Sequence, residues 1–167
     1  EPDRSNSIHR GAWYNKGRYL VHELTPYDDT LVLDTDYMVN SDKLLKTFDY
    51  CDDFSCHDTT NFLMHPNATQ EVLSVYSYNT LWATVVAFRK TQRAKQIFEC
   101  LEMVQKNYEH YANIHGFIGQ SYRNDFALTL ALRIANGHTI LPGDFIPWNL
   151  NHIGRGTNIV ADNSSEF

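Results

Sequence analysis

The chain has 167 residues, 14 Lys plus Arg against 20 Asp plus Glu, and a formal charge of −6. Its 43% hydrophobic content, with 3 Trp, 10 Tyr and 9 Phe, excludes a disordered chain and supplies one sizeable core. The longest unbroken apolar run is Val85 to Phe88, far short of the roughly 20 residues a spanning helix needs, and the acidic balance disfavours duplex nucleic acid as a partner.

The stretch EPDRSNSIHRG lacks the apolar segment of a signal peptide, and residues 1–12 read as a loose polar end. Cys51, Cys56 and Cys100 do not make a disulfide framework, so a reducing, cytoplasmic setting is expected. KGRYLVHEL (16–24) reads as a short helix stopped by Pro26, and TPYDDT as a turn. Thr30 to Leu33 reads as a buried strand running directly into Asp34-Thr35-Asp36. Ser41 is placed to cap a helix over SDKLLKTFDY.

Residues 51–70 read as a long irregular segment, and Trp82 to Phe88 as a second strand. An apolar stripe through Ala94, Ile97, Phe98, Leu101, Val104, Tyr108 and Tyr111 predicts one helix from about Thr91 to Ala112. Asn124 as N-cap and Gly137 after Asn136 bound a second, nearly all-apolar helix. Short strands are expected over His138 to Leu141 and Phe145 to Trp148, with residues 157–167 loose. The alternation favours a single α/β domain with a sheet flanked by helices.

Asp34 and Asp36 are the strongest chemical signal. Ligands of open α/β sheets sit beyond the carboxyl ends of strands, and two hard carboxylates there suit Mg²⁺ or Mn²⁺ bridging to a diphosphate. The alternative is a solvated turn, since Asp is common after strands. The stretch ELTPYDDTLVLDTDYMVNSDKLLKTFD resembles the donor-binding segment of GT-A glycosyltransferases of the glycogenin-like family. The matching positions are Pro26, Asp28, Leu31 to Leu33, Asp34, Asp36, Val39, Leu44, Leu45 and Phe48. The resemblance implies a GT-A-like, Rossmann-like mixed sheet, a nucleotide-diphosphate sugar donor and an unknown acceptor. It implies that Asp36 binds the metal and that Asp34 contacts the metal or the donor ribose.

NTLWATVVAFRKTQRAKQIFECL resembles the acceptor-side strand and helix of that family, and SYRNDFALTLAL the segment carrying an acidic or amide group at a helix start. Asp125 matches the acidic position, but Phe126 stands where Gln is usual. LNHIGRG resembles the His-x-Gly element that supplies a third metal ligand, which would be His152; the Lys-Pro-Trp that commonly follows is missing. The likeness covers about residues 16–156, and only the LDTD block is specific. The family's nucleobase-holding βα units normally precede the Asp-x-Asp strand, and 33 residues precede Asp34 here, so the expectation is a chain incomplete at its N-terminus.

Arg123, Asn124 and Asp125 at a helix start are candidates to orient a sugar hydroxyl or serve as base; the competing role is capping and helix-dipole placement. Trp82 is counted with Asp34 and Asp36 among the donor-binding residues, because Trp82, Tyr76, Tyr78 and Trp148 offer faces that suit hexose rings; core packing competes for Trp82. The spacing of Cys51, Cys56, His57 and His65 does not suit zinc, and Arg89, Lys90, Arg93 and Lys95 read as a solvated helix start. Two other function classes compete with the transferase. One is a non-catalytic interaction domain with a relic site. The other is a haloacid-dehalogenase-like phosphatase, which wants Thr or Val where Met38 stands.

Overall fold

The computed structural model describes residues 4–6, 11–13, 16–39, 41–63, 67–74, 77–117, 122–139 and 141–152. Arg4–Asn6 (β1) and Gly11–Trp13 (β2) pair antiparallel, within a stretch expected to be loose. The expected helix over 16–24 is divided into a 3-10 turn, Lys16–Leu20, and a single α-turn, Val21–Leu24 (α1). Gly17 lies in this stretch, and a segment so short gains little against the cost of helix nucleation.

The main sheet has the order β3-β6-β4 and is antiparallel throughout. β3 spans Asp29–Leu33 and ends at Asp34, as its apolar run predicts. β6, Trp82–Arg89, is the central strand, with every residue buried or half-buried. β4, Phe54–His57, corrects the expectation of an irregular 51–70 segment: all four residues are buried. Its polar side chains are satisfied by the segment alongside. Ser55 Oγ donates to the Gly143 carbonyl at 3.2 Å, and His57 Nδ1 lies 2.9 Å from the Trp148 carbonyl. Thr60–Phe62 (β5) also falls in that stretch and pairs parallel with Leu150–His152 (β7).

The helix expected over 91–112 is two helices, Gln92–Lys106 (α2) and Tyr108–His115 (α3). Thr91 caps α2 by accepting from the Ala94 N–H at 3.2 Å. The break falls at Asn107, whose side-chain amide donates to the Met103 carbonyl at 2.8 Å and competes with the helical backbone pattern. α3 stops at Gly116, whose φ of +61° is open to glycine at no steric cost. Asn124–Ala135 (α4) is buried on most sides, as expected, but Arg123 rather than Asn124 holds the N-cap position.

The helix expected over SDKLLKTFDY is a 3-10 segment, Lys43–Asp49, which buries Leu44 and Thr47, three residues apart, and leaves Leu45 exposed. Strands do not form over 138–139 and 141 or over 145–148; a 3-10 turn spans Pro142–Asp144, and Phe145 makes one isolated bridge to Cys56. His138 instead takes a φ of +64° after the end of α4.

The larger core lies between the sheet and helices α2 and α4, around Phe54, Phe88, Phe98, Leu101, Phe126 and Leu130. A smaller cluster of Leu44, Val85, Ile146 and Leu150 packs against Leu31, Leu33 and Trp82. The architecture is thus mixed α/β, with a small antiparallel sheet and a parallel pair. Among the described residues no helix is long and apolar enough to cross a membrane.

Candidate functional site at the carboxyl end of β3

Because β3 and β6 are antiparallel, the end of β3 lies beside the start of β6. The Asp34 N–H donates to the Thr84 carbonyl at 2.9 Å, continuing the ladder one residue past Leu33. Two residues earlier on β6, roughly 7 Å along the strand, stands Trp82. Between them Ala83 serves two neighbours. Its N–H donates to Asp125 Oδ1 at 2.9 Å, and its carbonyl accepts from Arg18 at 2.5 Å. The first turn of α4 and the 3-10 turn 16–20 are therefore both bound to the start of β6.

Arg18 also pairs with Asp34 through Nη2 and Oδ1. Burial pushes the Asp34 carboxyl above its ordinary value of 3.8; Arg18 and Thr84 oppose that shift, and Asp125 adds to it. Asp36 is exposed in the turn after β3.

Arg123 reaches Glu71 Oε2 at 2.8 Å and Asp125 Oδ2 at 3.3 Å, with a second bond to Glu71 Oε1. Burial alone would lower its pKa, but the two acidic partners hold it above the ordinary arginine value. Its backbone N–H donates to Tyr108 Oη at 3.2 Å, a hydroxyl whose pKa burial pushes up to about 12. Asn124 does not join this row. It lines a small cavity of about 20 Å³ together with Arg18, Val21, Val32, Ala83 and Phe98 among others, and its Oδ1 is buried without a partner among the described residues.

His152, at the end of β7, lies with its ring centroid 5.7 Å from Trp82 and 5.5 Å from Phe62. Asp34 and Asp36 are hard oxygen donors of the kind that Mg²⁺ or Mn²⁺ takes, and Asp34 Oδ1 is already engaged by Arg18. His152 is not gathered with them: among the described residues no three His, Cys, Asp or Glu side chains are grouped to hold a metal.

No protein-family model, curated protein or solved structure matches this chain.

The structure thus brings Asp34, Asp125 and Arg123 to one end of the sheet, sets Asp36 at its rim, and packs Trp82 with Leu31, Leu33 and Val85 on the other face. Sequence reading missed Arg18 and Glu71, the partners of Asp34 and Arg123, because 16 and 52 residues separate the pairs. Their only signal is charge balance, since a half-buried carboxylate or guanidinium needs a counter-ion. The other singled-out residues have structural partners. Arg89 donates to the Cys51 and Phe48 carbonyls at 2.8 and 2.9 Å, Lys90 to the Thr25 carbonyl at 2.9 Å, and Arg93 pairs with the buried Asp144. Cys51, Cys56 and Cys100 are free thiols. His65, Tyr76 and residues 157–167 lie outside the described residues.

Proposed function

We propose that this chain carries the donor site of a metal-dependent glycosyltransferase of GT-A type, which moves a sugar from a nucleotide-diphosphate donor to an acceptor hydroxyl. The observation that supports this reading most strongly is the meeting of Asp34-Thr35-Asp36, at the carboxyl end of β3, with Asp125, at the start of α4, across the first residues of β6.

In this reading Asp34 and Asp36 hold Mg²⁺ or Mn²⁺, and the ion, when bound, offsets charge on the departing diphosphate. Asp125 is kept in one orientation by the Ala83 N–H and the Arg123 guanidinium, so that it accepts a hydrogen bond from a sugar hydroxyl without reorganising. Arg123 itself is braced by Glu71. Asn124 lines the cavity next to Arg18, and Trp82 packs on the cluster of Leu44, Val85, Ile146 and Leu150.

The test is sugar-nucleotide turnover, followed as nucleotide release from UDP-glucose and UDP-galactose, with and without EDTA. Wild-type turnover that EDTA abolishes, and that Asp36→Asn lowers by two orders of magnitude or more, supports the proposal. Turnover unchanged by EDTA and by Asp36→Asn overturns it.

One observation favours a second reading, a non-catalytic domain with a relic site. The Arg18 guanidinium already sits against Asp34, where a cation would bind. In that case the ion pair is structural, and no nucleoside diphosphate binds with a divalent metal.

A further inference from the structure

β3 lies at one side of the main sheet, and the register fixes which of its backbone groups β6 uses. The Asp34 N–H donates to the Thr84 carbonyl at 2.9 Å, and the Lys90 N–H to the Asp28 carbonyl at 2.8 Å, so the even-numbered residues of the strand bond to β6. Antiparallel bonding alternates along a strand, so the N–H and C=O groups of Asp29, Leu31 and Leu33 point away from the sheet. Among the described residues no backbone group bonds to them on that side. The edge carries none of the usual protections. Asp29–Leu33 contains no Pro and no Lys, and it pairs with β6 residue for residue, without a bulge. Thr30 to Leu33 are half-buried rather than enclosed, and exposed apolar side chains stand at both ends: Leu24 and Tyr27 before the strand, Met38 and Val39 after it.

We infer that this edge is an interface between two copies of the chain, whose β3 strands pair antiparallel about a two-fold axis at Thr30. The inference goes beyond the transferase reading and does not rest on it. In this register Thr30 meets Thr30, Asp29 meets Leu31, Asp28 meets Val32, and the exposed Tyr27 meets Leu33 of the second copy. The outward groups of Asp29 and Leu31 satisfy each other, and the two small sheets join into one. Charge selects the register. Sliding one copy by two residues sets Asp29 against Asp29 in one direction and Asp28 against Asp34 in the other, and like charges directly opposite each other are destabilising. A slip of one residue sets each outward-pointing residue against one already bonded to its own β6, so no ladder forms.

The two ends of the interface are also complementary in charge. Lys90 is exposed, its Nζ donates to the Thr25 carbonyl at 2.9 Å, and it pairs with no carboxylate among the described residues. Thr25 of one copy falls across from Thr35 of the other, so the Lys90 ammonium comes to the Asp34-Thr35-Asp36 turn of the second copy. Asp36 is exposed there and has no cation of its own among the described residues. The two-fold axis makes this contact twice. Asp29 and Asp34 are already paired within their own chain, with Arg89 and Arg18, so the acidic ends of the strand do not hold the copies apart.

The experiment combines sedimentation velocity of the full chain, from about 1 to about 100 µM, with disulfide trapping. Trapping uses the Cys100→Ser chain, since Cys51 and Cys56 are buried. In that chain Thr30→Cys sets two thiols on the axis, where facing Cα atoms of a non-hydrogen-bonded pair lie about 4.5 Å apart, within the span of a disulfide. Val32→Cys is the control, because Val32 lies opposite Asp28 and not opposite itself. The inference expects a species of twice the chain mass within that concentration range. It also expects that, under the same mild oxidation, Thr30→Cys crosslinks several-fold faster than Val32→Cys. A wild-type chain that stays monomeric throughout the range, or a dimer in which Thr30→Cys crosslinks no faster than Val32→Cys, overturns it.

Discussion

The carboxylate of Asp125 accepts from the backbone N–H of Ala83 at 2.9 Å, and this one bond fastens the first turn of α4 to the first residues of the central strand. Ala83 is buried, so its N–H has no water to turn to if the carboxylate is removed. Asp125→Ala is therefore expected to cost about 2 kcal/mol of stability. Asp125→Asn keeps an acceptor oxygen and is expected to cost less than half of that, while losing the charge that the proposed chemistry uses. Urea unfolding of both variants, alongside turnover, checks the split.

Asp34 is a half-buried carboxylate held against the Arg18 guanidinium. Its folded pKa lies above the ordinary carboxylate value because it is buried. A carboxyl whose folded pKa is raised stabilises the fold fully below its unfolded value and loses that contribution as pH rises through the folded value. At neutral pH, ionised Asp34 is thus a burden, which Arg18 relieves in part. Asp34→Asn relieves the buried charge but takes the counter-ion from Arg18, so the two effects offset and stability is expected to change by no more than about 1 kcal/mol, while the proposed metal-dependent donor binding is abolished. Thermal denaturation at pH 7 checks the first half, and a clear fall in melting temperature would contradict it.

Asp144 is 1% exposed and bound by two side chains: Arg93 at 2.5 Å and Asn136 Nδ2 at 2.6 Å. It joins α2, the end of α4 and the 142–144 turn, far in role from the proposed chemistry. Asp144→Ala strands a partly buried guanidinium and is expected to cost about 3 kcal/mol. Loss of stability without a change in donor affinity of the folded fraction is the expected outcome.

His57 gives the fold an acid limit. Burial lowers its pKa from 6.5 to about 4, against the opposing hydrogen bond to the Trp148 carbonyl. The folded state thus resists the proton that the unfolded state accepts. This contribution is fully present above pH 6.5 and is lost as pH falls from 6.5 to about 4. The full loss is on the order of 3 kcal/mol. His57→Gln is expected to flatten the decline in stability over that window, measured by urea unfolding at several pH values.

Regular apolar patterns were legible where one periodicity dominated. β3, β6 and α4 show it, and their bounds fall within a few residues of the expected ones, as does the start of α2. β4 was illegible because Ser55 and His57 look like loop residues until the 143–148 segment satisfies them. The break at Asn107 was hidden by an apolar stripe that continues through both helices. At the candidate site, the positions of Asp34 after a strand and Asp125 at a helix start were readable from residue type and pattern. Arg18 was not, since only the packing of the 16–20 turn onto β6 brings it to Asp34.

The central claim is that Asp34 and Asp36 hold a nucleoside diphosphate through a divalent cation. Calorimetric titration of UDP and GDP into the chain, with Mn²⁺ and then with EDTA, on wild type and Asp36→Asn, tests it most directly. The claim predicts saturable binding of at least one nucleotide that requires Mn²⁺ and disappears in Asp36→Asn. Binding that persists in EDTA, or no heat from either nucleotide at millimolar concentration with Mn²⁺, would contradict it.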